Sequence, residues 1–144
     1  MFKSLFFAAV LLASPAIAAP TIIGDWTNPN RSVTVHIAAC GGGTLCGRVV
    51  RASGEAKAKA AAGGTPRLVG TVIMSNLTPA GAGNWKGTFF VPDHNVRADG
   101  TLRQINASNI EIEGCAVAGI LCKSQRWART GGGANARRVA RGAG

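Results

Sequence analysis

The chain has 144 residues, 47 % of them hydrophobic, a formal net charge of +10 and no tyrosine. That length suits one domain with a real but modest core, not several. No run approaches the roughly 20 apolar residues of a membrane-spanning helix, and without tyrosine a stacking surface for single-stranded nucleic acid would rest on three tryptophans and few phenylalanines.

The chain opens MFKSLFFAAVLLASPAIAAP. Lys3 gives a positive start, Leu5 to Ala13 is a short uncharged apolar run, and Ser14-Pro15 breaks it. Ala16-Ile17-Ala18 then supplies small residues where a signal peptidase inspects the chain. Residues 1–18 read as a Sec-type secretory signal peptide, cleaved after Ala18 because a cut after Ala19 would set Pro20 against the scissile bond. No cysteine follows the cut, which argues against a lipid anchor. The expected address is the periplasm or the exterior of a bacterium.

An oxidising compartment favours disulfides. The four cysteines form two local pairs, Cys40 with Cys46 and Cys115 with Cys122. Their spacings exceed the two to four residues usual between zinc-binding cysteines, and a thioredoxin-type C-x-x-C is absent, so two disulfides are expected over a four-cysteine zinc site or free thiols. Each short loop would contribute about 2 kcal/mol by the loop-entropy argument. CGGGTLC (40–46) then reads as a turn whose glycines permit positive φ.

Strand patterns dominate the remainder. TIIGDWT (21–27) is rich in β-branched residues, and SVTVHIA (32–38) alternates with Val33, Val35 and Ile37 on one face. LCGRVVRA (45–52) returns from the first cysteine turn. The alanine-rich segment 53–66 suits a short helical turn or a loop equally. RLVGTVIMSN (67–76) resumes strand character and 77–83 reads as a loop. NWKGTFFV (84–91) alternates Trp85 and Phe89 against Lys86 and Thr88. VRADGTLRQI (96–105) carries a central glycine that suggests a bulge or bend. IEIEG (110–114) points Ile110 and Ile112 inward and Glu111 and Glu113 outward, and CKSQRWAR (122–129) closes the series. Eight short strands predict an all-β, antiparallel, up-and-down barrel with disulfides at two hairpin tips, spanning residues 19–129. Residues 130–144 carry three arginines and no acid and read as a disordered basic tail, leaving +6 on the folded part. The surplus charge suits solubility or weak adhesion to an anionic envelope; it does not specify nucleic acid.

GDWTNPNRSVTVHI, NWKGTFFVP and the closing GC…LCKSQRWART together resemble the DUF2147 family of exported bacterial proteins. The resemblance spans about residues 24 to 130 and is carried by Gly24-x-Trp26, Trp85-x-Gly87, Gly114-Cys115 and Gln125-x-Trp127-x-Arg129. It implies a lipocalin-like barrel, and it implies no catalytic residues, since the family has no established chemistry. Where many members have Asp-x-x-Asn-Pro after the first hairpin this chain has GEAKAKAAAGG, and where many have Gly-Lys-x-Tyr after the middle proline it has DHNVRAD. The lipocalin pattern further implies that Gly24, Trp26, Trp127 and Arg129 close one end of the barrel, with Arg129 stacked on Trp26.

The chemical inventory is thin. His36 and His94 are separated along the chain, Ser75 and Ser124 lack a nucleophile signature, and no standard hydrolase, zinc-protease or phosphate-loop motif occurs. Neither a metal, a cofactor nor a reaction is expected. The leading expectation is a monomeric barrel holding a small apolar or amphipathic ligand, with Trp85 and Phe89 as candidate walls. The alternative is a filled barrel serving as a protein-interaction module of the cell envelope.

Overall fold

The computed structural model describes residues 21–116 and 121–130. The segment read as a signal peptide, the segment 131–144 read as a basic tail and the tip of the second cysteine hairpin lie outside the described residues. The elements run β1 (Gly24–Thr27), β2 (Val33–Gly41), β3 (Thr44–Ala52), α1 (Gly54–Ala62), β4 (Val72–Pro79), β5 (Asn84–Val91), β6 (Val96–Asn106), β7 (Asn109–Ala116) and β8 (Leu121–Thr130). Each strand pairs antiparallel with the next, and β8 returns to β1, so the sheet closes as an eight-stranded up-and-down barrel. Closure satisfies the edge hydrogen bonds that an open sheet would expose.

Alternation explains the core. Val35 and Ile37 on β2, Leu45 and Val49 on β3, Leu102 on β6 and Ile110 on β7 point inward and are almost wholly buried. The closing seam between β1 and β8 is short, three residue pairs from Asp25–Thr130 to Thr27–Ala128. Hydroxyls reinforce it: Thr27 Oγ1 lies 2.9 Å from Thr34 Oγ1 and donates to Thr130 Oγ1 at 3.2 Å.

Both disulfides are present, Cys40–Cys46 and Cys115–Cys122. The strands of the first hairpin run through its cysteines, so the turn is shorter than the sequence suggested. Gly42 and Gly43 alone form it, with φ of 62° and 77°, the pair of positive angles that a two-residue hairpin turn needs. A register shift between Ala39 and Gly41 sets Cys40 out of the regular ladder, from where it reaches Cys46.

Segment 53–66 resolves as a nine-residue helix. Ser53 caps it, its hydroxyl accepting from Ala56 N at 3.1 Å, and Glu55 pairs with Lys59 one turn on at 3.1 Å. Alanine and lysine favour the helix intrinsically, and Gly63 ends it by donating to Lys59 O.

The fourth strand departs most from the sequence reading. Residues 67–71 form a turn, held by Thr71 N and Thr71 Oγ1 donating to Leu68 O and Arg67 O, with Gly70 at φ 97°. The strand starts at Val72 and runs through Pro79. Ile73 and Met74 are both buried although adjacent, because register shifts on both sides of β4 interrupt strict alternation.

Gly100 marks no bend. It stands in regular register between Gly87 and Gly114, so three inward glycines form one row across β5, β6 and β7. A Cβ at Gly100 would sit 2.7 Å from the Phe89 ring, and one at Gly87 would sit 2.8 Å from Leu77. Gly87 and Gly100 therefore make room for large neighbours, and the middle of the barrel is filled by side chains.

Candidate functional site

The barrel has two different ends. At the end where β1 starts and β8 finishes, Arg129 acts as a plug. Its guanidinium carbon lies 4.2 Å from the Trp26 ring centroid. Its three nitrogens donate to main-chain carbonyls: Nε to Ala107 at 2.8 Å, Nη1 to Ile23 at 3.0 Å and Nη2 to Thr21 at 2.6 Å. Trp26 is fully buried and donates its ring N–H to Ile22 O at 2.8 Å. Gly24 is required by space and by backbone, since a Cβ there would lie 2.6 Å from Arg129 Nη1 and its φ is 137°. Gly24, Trp26 and Arg129 are thus brought together.

Trp127 points into the barrel two residues earlier on β8 and lines the opposite end. There the β1–β2 loop, α1, Leu68 and the β5–β6 turn surround a cavity of about 510 Å³. Leu68, Ile73 and Trp127 supply its apolar floor, each no more than 9 % exposed. Asn30, Ser53, Glu55, Lys59, Asp93 and Gln125 supply a polar rim. Trp127 donates its ring N–H to Gln125 Oε1 at 3.1 Å, which fixes the Gln125 amide at the rim. Asn28 Oδ1 accepts from Ser32 N and Val33 N, each at 2.9 Å, and holds the loop above the floor.

The helix leans over this mouth. Ala60 is buried and Ala56 packs against the core, so small side chains let the helix approach closely. Its far end is tied down by Thr65, whose N–H reaches Ala60 O at 2.7 Å and whose hydroxyl reaches Pro92 O at 3.2 Å. Gly63 allows the same contact, since a Cβ there would meet the Asp93 main chain.

A second hollow, of about 570 Å³, lies on the outer wall along the glycine row, lined by Lys86, Thr88, Asp99, Thr101 and Glu113. Its walls are outward-facing polar side chains, and it lacks the apolar floor of the mouth. Trp85 and Phe89 line neither hollow: Phe89 is buried in the core and Trp85 packs against it. The sequence offered Trp85 and Phe89 as candidate walls and set Trp127 among the closing residues, whereas in the structure it is Trp127 that lines the mouth. No local signal distinguished them, because all three tryptophans occupy inward strand positions.

The titratable residues do not converge. His36 Nδ1 lies 2.6 Å from Asp25 Oδ1 on the outer wall, and His94 lies 3.7 Å from Asp93 at the β5–β6 turn. Glu111 reaches Arg103 at 3.1 Å and Arg126 at 3.9 Å, an exposed cross-strand cluster. Among the described residues no three histidine, cysteine or acidic side chains are placed to hold a metal ion.

The family described as an uncharacterized protein conserved in bacteria (DUF2147) matches residues 24–129, the barrel almost from end to end. The chain belongs to the DUF2147 family. Pieces that carried the resemblance have structural reasons here: Gly24 and Trp26 meet the Arg129 plug, and Gly87 leaves space for Leu77. Protein HP1028 from the human pathogen Helicobacter pylori, a member of the lipocalin family, is similar in structure at 14 % identity and a TM-score of 0.59. The likeness covers 78 % of this chain and 85 % of that one and establishes a lipocalin-like fold for this DUF2147 barrel. No curated protein matches the sequence.

Proposed function

We propose that the chain is an extracytoplasmic binding protein that takes one small amphipathic molecule at the mouth of its barrel. The observation that carries this reading is the cavity of about 510 Å³ beneath α1, with an apolar floor and a polar rim. Its volume falls in the range of small-molecule sites, about 300–1,000 Å³. The packed glycine-row region beneath it restricts the ligand to the mouth, so a short apolar group on Leu68, Ile73 and Trp127 with a polar head toward Gln125, Asn30 and Lys59 suits the site. Two disulfides and the signal-like first 18 residues support an address outside the cytoplasm. The reading assigns no reaction to the chain.

The packed barrel favours a second reading, an envelope interaction module that presents the same rim to a protein. Native mass spectrometry of protein purified from the bacterial envelope fraction separates the two. A one-to-one adduct released by organic solvent, and missing from a folded Leu68→Glu variant, is the expected result. An unliganded mass for both proteins would move the assignment to the interaction module.

A further inference from the structure

The positive charge of the folded part is unevenly placed. Residues 44–71 hold five basic side chains, Arg48, Arg51, Lys57, Lys59 and Arg67, against one acid, Glu55, which is engaged by Lys59. The opposite wall mixes its charges, with Glu111 held between Arg103 and Arg126. The strands paired with β3, β2 and β4, carry no acid, and Asp25, one strand further on β1, lies 2.6 Å from His36 Nδ1.

Two exposed valines stand within this basic surface. Val50 and Val69 are each 46 % exposed, and the backbone sets them side by side. Gly70 N donates to Val49 O and Val49 N donates to Thr71 O, so the 67–71 turn lies along the end of β3. The Arg48 guanidinium reaches across to Gly70 O and holds the turn there. Arg51 and Arg67 flank the valines on the two segments and are exposed.

From this juxtaposition we infer that the β3 wall and the 67–71 turn form a docking surface for an anionic lipid membrane. Arginine side chains suit phosphate headgroups because they offer forked donors to a planar anion. Exposed valines among them suit an interface in which hydrocarbon begins just below the charge, and add nothing on a purely polar polyanion. The turn also carries Leu68, which lines the mouth, so docking would bring the opening of the barrel to the lipid surface. The inference stands on its own charge and exposure pattern and does not require the mouth to hold a ligand.

Cosedimentation with phosphatidylglycerol vesicles, set against phosphatidylcholine vesicles, tests it. Partitioning is expected onto the anionic vesicles alone, weakening as salt rises. Replacing Arg51, Lys57 and Arg67 together by Gln should cut it by at least about tenfold, given the contribution of each cation near an anionic surface. The same charge change on the other wall, Lys86, Arg97 and Lys123 to Gln, should cut it by less than about threefold. Val50→Thr with Val69→Thr should weaken vesicle binding and leave binding to a short DNA duplex unchanged. Circular dichroism of each variant establishes that the barrel is intact. Equal losses from both charge sets, indifference to the valine pair, or no preference for the anionic vesicles would each overturn the inference.

Discussion

Arg129 shows how much one side chain can organise. It stacks on a buried indole and satisfies three carbonyls from the segment leading into β1 and the β6–β7 turn. Arg129→Gln removes the cation–π contact and most of the donors, and is expected to lower stability by about 3 kcal/mol in urea unfolding. Arg129→Lys should recover only a small part, because a point charge cannot donate in three directions from a planar fork. Gly24→Ala should be damaging for a complementary reason, forcing either the backbone out of φ 137° or the guanidinium out of its seat.

At the scale of elements, α1 is the least embedded of the described helix and strands. It offers Ala56 and Ala60 to the barrel and depends on Gly63 and Thr65 for its tie to the β5–β6 turn. Gly63→Ala should push that end away from Asp93. Hydrogen exchange over 54–65 is expected to accelerate by tenfold or so, consistent with a local loss of about 1 kcal/mol, while the amides of β6 and β7 stay protected. The strands themselves were legible where one face is buried and the other wet, as in Val35–His36–Ile37 or Ile110–Glu111–Ile112. β4 was not, because its register shifts bury adjacent residues and leave no period to read. The 67–71 turn looked like strand since Leu68 and Val69 are apolar, yet one is buried under the mouth and the other exposed beside Val50. The mouth was equally hidden: its floor brings Leu68 and Ile73, on either side of the 67–71 turn's end, against Trp127 from the last strand, more than fifty residues away. By contrast the Arg129 plug was readable, because Gly24-x-Trp26 and Arg129 form a pattern tied to one barrel geometry.

For the molecule as a whole, the order of contacts matters. Seven of the eight strand pairings join neighbours in sequence, and only β1 with β8 spans the chain. Local pairings close small loops at low entropic cost, and the last one closes the barrel. The seam is therefore the natural place for late-forming contacts. Thr27→Val, which removes the hydroxyl link to Thr34 and Thr130, is expected to speed unfolding several-fold and leave the refolding rate nearly unchanged in stopped-flow experiments. Slowed refolding instead would place the seam in the folding nucleus.

The pairing of Asp25 with Thr130 has a further consequence for how the gene could be cut. It sets the first and last strands side by side at the plugged end, so a short linker could join Thr130 to Thr21 and keep the Thr21 and Ile22 carbonyls that Arg129 and Trp26 use. New termini could then open at Gly81–Gly83, in the exposed β4–β5 turn at that same end. Such a circular permutant would convert the one chain-spanning seam into a hairpin while keeping every strand neighbour and leaving the mouth untouched. It is expected to fold, and to retain whatever the mouth binds, because the order in which this barrel is written is separable from the order in which it is built.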